Sequence, residues 1–111
     1  MSKRTVLIAE DEPAILQALA LRFSNNGFDV ETAANGVEAI LKMKKRIPDI
    51  MIIDAGMPEA DGFRVCERMS ELQLPPFPVI MLTGRSDPES VRRCEQLGAH
   101  HMLKSPDMWD E

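Results

Sequence analysis

Three short apolar runs in this chain each end in a group that can do chemistry. Val6-Leu7-Ile8-Ala9 runs into Glu10-Asp11-Glu12 and then Pro13. Ile50-Met51-Ile52-Ile53 ends on Asp54, after which Ala55-Gly56-Met57-Pro58 turns the chain away. Val79-Ile80-Met81-Leu82 ends in Thr83-Gly84. Carboxylates held together repel one another, and loss of solvent adds to that repulsion. A hard divalent cation relieves both, and Mg²⁺ (or Mn²⁺) prefers an all-oxygen set of one or two carboxylates, waters and phosphate oxygens. No His or Cys lies in these three loops, which argues against zinc. A carboxylate beside Mg²⁺ can also attack phosphorus and form an acyl phosphate. Thr83 could then donate a hydrogen bond to the phosphoryl group, and a lysine could offset its charge. The plainer role for Asp11 or Glu12 is to cap the helix that Pro13 opens.

Such a cluster forms only if the three runs are neighbours. Four or five apolar residues in a row read as strands buried on both faces, as in a parallel sheet. Residues 5–9 form the first strand, followed by a helix with Leu16, Leu19, Ala20 and Phe23 at helical spacing, stopped by Asn25-Asn26-Gly27. Residues 28–32 alternate as an edge strand. Asn35-Gly36 opens a helix predicted to place Val37, Ile40 and Leu41 on one face. After the Asp54 strand, Asp61 is the N-cap of a helix carrying Val65, Met69 and Leu72. Pro75, Pro76 and Pro78 precede the Val79 strand. Ser86 or Asp87 caps a fourth helix with Val91, Cys94 and Leu97, ending at Gly98, and residues 99–103 form a last strand. Strict βαβαβαβαβ alternation predicts an α/β fold with a parallel sheet and right-handed crossovers. In such a sheet ligands bind beyond the carboxyl ends of the strands, where the strand order reverses.

At 111 residues the chain is predicted to be one domain. It is 44% hydrophobic with a net charge of -5, and no basic run suggests a nucleic-acid arm. The cluster Lys42, Lys44, Lys45 and Arg46 reads as a solvated helix end. No stretch approaches the ~20 apolar residues of a membrane span. No signal peptide is evident. Cys66 and Cys94 have no metal-type spacing and read as free thiols in a reducing compartment, with the cytoplasm as the default. His100 and His101 point to opposite faces of a strand and cannot readily chelate one metal. The eight methionines read as core filling.

The motifs taken together resemble the receiver domain of bacterial two-component response regulators. The carriers are the opening through Glu10-Asp11-Glu12, Asp54-Ala-Gly-Met-Pro58 with Asp61-Gly62, the Val79 strand ending in Thr83, and Gly98-Ala99. The resemblance covers nearly the whole chain. It implies a flavodoxin-like, doubly wound five-stranded parallel sheet of order 2-1-3-4-5. It implies Asp54 as phosphoacceptor, with Mg²⁺ held by Glu10, Asp11, Asp54 and the backbone carbonyl of Gly56. Thr83 becomes the switch hydroxyl. The donor becomes a phosphohistidine on a sensor histidine kinase or phosphotransfer protein. The only catalysis implied is the domain's own phosphoryl transfer and slow dephosphorylation.

Three features depart from the family pattern. The family places a lysine directly before a proline, which is a cis-peptide candidate, here Pro106. This chain reads Lys104-Ser105-Pro106, so Ser105 falls in the lysine's register. Lys104 takes the role if the backbone bulges or its stem curls round; otherwise Ser105 occupies the position. The family's aromatic coupling residue falls at Met102. Finally, a closing helix is expected after Pro106, and only five residues follow, so it is read as truncated or missing. The displaced lysine and Met102 keep a second reading open, a pseudo-receiver acting as a phosphorylation-independent interaction or dimerisation module. A homodimer through the fourth helix and last strand fits either reading. An aspartyl-phosphate phosphatase fits less well, because Gly56 stands where a general acid would be needed.

Overall fold

The computed structural model describes residues 3–84 and 88–104. Five parallel strands, β1 (Thr5–Ala9), β2 (Asp29–Ala33), β3 (Ile50–Asp54), β4 (Val79–Thr83) and β5 (His100–Leu103), form one sheet of order β2-β1-β3-β4-β5. Four helices connect them: α1 (Pro13–Asn25), α2 (Gly36–Lys45), α3 (Gly62–Glu71) and α4 (Pro88–Gln96). This is the predicted doubly wound order. The proposed closing helix, Pro106 and the caps at Ser86 or Asp87 fall outside the described residues.

Strand periodicity divides the interior into two cores. Leu7, Ala9, Met51, Ile53, Val79 and Met81 face α2, α3 and α4, where they meet Ala39, Met43, Val65, Cys66 and Cys94. Val6, Ile8, Ile52 and Leu82 face α1 and pack on Leu19. The central strands are apolar at successive positions because both of their faces are covered. Phe23 of α1 meets Phe28 edge-to-face at 5.2 Å between ring centroids, which closes the β2 edge of the second core.

The helix starts follow local chemistry. The Asn35 side chain accepts from the Glu38 N–H at 2.8 Å, and that of Asp61 accepts from the Arg64 N–H at 2.8 Å, as N-caps should. Pro13 occupies the first turn of α1, where a missing N–H is harmless.

Two expectations are corrected. β2 begins and ends one residue later than predicted, at Asp29 and Ala33. In α2 the buried positions are Gly36, Ala39 and Met43, while Val37 and Leu41 point to solvent at 44% and 58% exposure. The small residues win the inward face because α2 sits close: a Cβ on Gly36 would come within 1.9 Å of the Ala60 carbonyl oxygen. Among the described residues, no helix is long and apolar enough to cross a membrane.

Candidate functional site

The strand order reverses between β1 and β3, and the carboxylates meet there. Glu10 follows β1 and is 1% exposed; Asp54 closes β3 at 7%. With the exposed Asp11 they form a group whose ligand oxygens all lie within 4.8 Å of one another. Backbone hydrogen bonds fix both loops. The Glu10 N–H donates to the Ala33 carbonyl at 3.0 Å, and the Ala55 N–H to the Leu82 carbonyl at 2.8 Å. Gly62 must be glycine for the Asp54 loop to close, since a Cβ there would lie 2.8 Å from the Asp54 carbonyl oxygen and 2.5 Å from Met81 Sδ. The motif Asp61-Gly62 marked this position in the sequence without revealing that reason.

Lys104 reaches the carboxylates. Its Nζ lies 3.0 Å from Asp54 Oδ2 and 3.0 Å from Glu10 Oε1. The strand register carries it there. Thr83 pairs with Leu103, and the Lys104 N–H continues the ladder to the Thr83 carbonyl at 2.7 Å. The spacing from Gly98-Ala99 had placed β5 one residue further along. Ser105, the other residue considered for this place, lies outside the described residues.

The same register moves the coupling position. Met102 pairs with Leu82 and lies over the α1 side, in a groove with Leu19, Phe23, Ile52 and Ile80. It is 43% exposed and turned away from Thr83. The residue beside Thr83 is His101, whose Nε2 lies 2.7 Å from Thr83 Oγ1. Sequence spacing had treated His101 only as half of a pair unable to bind a metal.

Burial and the neighbouring charges push the two carboxyls in opposite directions. At Glu10, burial and the neighbouring Asp54 outweigh the Glu12 N–H and Lys104, raising its carboxyl to about 7. At Asp54 burial acts in the same direction. There the Gly56 N–H (3.0 Å to Oδ1), Lys104 and Glu10 overcome it, and the carboxyl is lowered. Of the two carboxyls, Glu10 therefore takes up a proton more readily than Asp54. At Lys104 burial opposes the charge, but the two carboxylates prevail and the ammonium is held more firmly than usual.

Asp11, Asp54 and Lys104 line a cleft of about 990 Å³ that is also bordered by Gly56, Thr83 and, on α4, Arg92 and Arg93. Arg93 crosses it to stack on the Phe63 ring at 4.0 Å. The all-oxygen donor set, crowded and carrying a raised carboxyl, fits a hard divalent cation.

A sequence profile of the response regulator receiver domain matches residues 6–108. The chain belongs to the response regulator receiver family. Receiver domains generally bind Mg²⁺ and interact with histidine kinases or phosphotransfer proteins. The chain is 34% identical over 106 residues to the transcriptional regulatory protein CreB of Escherichia coli (strain K12), covering 96% of this chain and 46% of CreB. It is 32% identical to the alkaline phosphatase synthesis transcriptional regulatory protein PhoP of Bacillus subtilis (strain 168), covering 96% and 43%. The chain thus spans less than half the length of these relatives. Among solved structures it resembles the Vibrio cholerae chemotaxis protein CheY4 with a TM-score of 0.88 and 31% identity, over 98% of this chain and 92% of that one. It also resembles the receiver of a CheX–CheY–BeF3–Mg²⁺ complex from Borrelia burgdorferi, with a TM-score of 0.85 and 30% identity over 94% and 80%.

Proposed function

We propose that this receiver domain is a phosphoacceptor switch in a two-component phosphorelay. Asp54 takes the phosphoryl group from a phosphohistidine on a sensor histidine kinase or phosphotransfer protein. The observation that carries the reading is Lys104 Nζ at 3.0 Å from Asp54. The sequence motif had left that cation out of register, and its displacement was the main argument for a phosphorylation-independent module. A carboxylate oxygen of Asp54 attacks phosphorus, the P–N bond breaks, and the donor imidazole departs with its electron pair, taking up a proton. Lys104 offsets charge on the phosphoryl oxygens, and Thr83 donates to one of them.

Glu10, Asp11, Asp54 and the Gly56 carbonyl would hold Mg²⁺ (or Mn²⁺), which when bound supplies charge neutralisation for the transfer. The complex of the Borrelia relative with BeF3 and Mg²⁺ supports this assignment. Apart from its own phosphorylation and slow dephosphorylation the domain catalyses nothing, and it works in the cytoplasm.

The test is intact mass after incubation with Mg²⁺ and acetyl phosphate. One phosphoryl adduct is expected on the parent chain and none on Asp54→Asn. A folded parent chain that stays unmodified, while still binding Mg²⁺, would overturn the proposal in favour of a constitutive interaction module.

A further inference from the structure

We infer that Arg93, held flat on the Phe63 ring, binds the leaving end of a small acyl phosphate and so makes the cleft selective among phosphodonors. The inference rests on the phosphoacceptor reading of Asp54 and goes beyond it, to the class of small donor which that carboxylate accepts.

Two kinds of wall meet at the cleft. The strand ends bring Asp54 and Lys104 to it, and α4 brings Arg92 and Arg93. Both arginines are exposed. Among the described residues neither forms an ion pair with a carboxylate, although Glu89 lies one turn before Arg93 and also borders the cleft. Arg93 has a fixed place nonetheless. Its guanidinium carbon lies 4.0 Å from the centroid of the Phe63 ring, and Phe63 is 7% exposed and packed into the core shared by α2, α3 and α4. A stacked guanidinium gives one face to the ring and keeps its N–H groups pointing outward in its own plane. Among the described residues Arg92 has no such ring beneath it.

The chemistry of the leaving group decides what such a cation favours. With acetyl phosphate, an Asp54 oxygen attacks phosphorus, the bond from phosphorus to the acyl oxygen breaks, and its electron pair stays on that oxygen as acetate departs. Attacking and leaving atoms stand roughly in line, so the departing oxygen points away from Asp54. Negative charge collects on a carboxylate, whose two oxygens match the parallel N–H groups of a guanidinium. Phosphoramidate reverses the signs. Its nitrogen carries the positive charge, the P–N bond breaks, and ammonia departs neutral. No anion forms for Arg93 to hold, and the guanidinium repels the ammonium end of the intact donor. Arg93 thus favours acyl phosphates over P–N donors of the same size.

The test compares initial rates of phosphoryl adduct formation on the full chain, by intact mass, with Mg²⁺ and either acetyl phosphate or phosphoramidate at equal ionic strength. Thermal unfolding of each variant checks its fold. Arg93→Gln should slow acetyl phosphate about three- to tenfold, the range of one hydrogen bond at an exposed site, while the phosphoramidate rate holds or rises. Equal losses with both donors, or no loss with either, would overturn the inference. Arg93→Lys keeps the charge without the planar fork and should recover only part of the acetyl phosphate rate. Phe63→Leu keeps apolar bulk but removes the platform, and should lower the acetyl phosphate rate selectively by a smaller factor. Arg92→Gln should cost less than Arg93→Gln; an equal selective loss would assign the effect to diffuse charge on α4 and overturn the role of the stacked residue. A folded parent chain that binds Mg²⁺ and takes a phosphoryl group from neither donor overturns the phosphoacceptor reading itself. A parent labelled by both, with a ratio that Arg93→Gln leaves unchanged, overturns this inference alone.

Discussion

Replacing Lys104 with alanine tests whether its ammonium holds the resting site together. The residue lies between two carboxylates that are almost fully buried, Glu10 and Asp54 at 1% and 7% exposure, and 3.0 Å from each. Removing one partner of a fully buried ion pair costs about 3–5 kcal/mol. Two features reduce that figure here. The Lys104 side chain is 18% exposed at the cleft, so water can enter, and Glu10, already raised to about 7, can take a proton in place of the lost cation. Lys104→Ala should therefore destabilise the metal-free domain by about 1–3 kcal/mol at pH 8. The loss should be smaller at pH 5.5, where Glu10 is protonated in the parent chain as well. Saturating Mg²⁺ should shrink it again, because the cation offsets the two carboxylates in place of the lost ammonium and so binds, and stabilises, the variant more than the parent. The assay is urea unfolding of both chains, in chelator and in Mg²⁺, at the two pH values. A variant as stable as the parent at pH 8 in chelator would refute the reasoning and show that desolvation of the ammonium outweighs its two contacts. So would a deficit indifferent to both pH and Mg²⁺.

The parent chain should itself respond to pH. The Glu10 carboxyl rises from an ordinary 4.5 to about 7 on folding, so the native state binds the extra proton. That contribution is fully present below about 4.5 and is lost as pH rises through about 7. Urea midpoints in chelator should accordingly fall between pH 5 and pH 7.5, and a Glu10→Gln variant should flatten that part of the curve. Gly36→Ala should destabilise by about 2–3 kcal/mol, the upper part of the overpacking range, because its methyl would strike the Ala60 backbone at 1.9 Å. Thermal unfolding would show it as a fall in Tm, whereas Gly27→Ala would be strained by its φ of 88° alone, with open space around it. Asn35→Ala removes the cap on the Glu38 N–H and should cost about 1 kcal/mol by the same assay.

The sheet was legible because its central strands have little freedom. Runs such as Ile50–Ile53 can be buried on both faces only in a parallel sheet, and each was followed at once by a turn and a helix. Glu10, Asp11, Asp54 and Thr83 could be placed for the same reason, since a strand end fixes its last side chain. β5 was different. Its four residues are exposed or half-exposed, so no inward hydrophobic pattern pins its register. The spacing from Gly98-Ala99 then suggested a pairing that the ladder from Thr83 to Lys104 does not adopt. That single slip hid both the reach of Lys104 and the contact of His101. In α2, the branched residues Val37 and Leu41 suggested the inward face by hydropathy. The close approach of Ala60 instead selects Gly36, Ala39 and Met43 for it, a tertiary constraint that no local pattern records.

The two cores also differ in substance. Met43, Met51, Met57 and Met81 are all buried on the face of the sheet shared by α2, α3 and α4, while among the described residues the buried core beneath α1 contains none. One side of the domain thus includes four unbranched thioether chains that reshape readily, whereas the other is built from branched hydrocarbons. The pliable side is the one that also carries Thr83 and His101. Carbon-13 in the methyls of Met43, Met51, Met57 and Met81 would therefore act as a strain gauge for that side, their resonances moving when the site is loaded while the methyls of Ile8 and Ile52 beneath α1 stay in place.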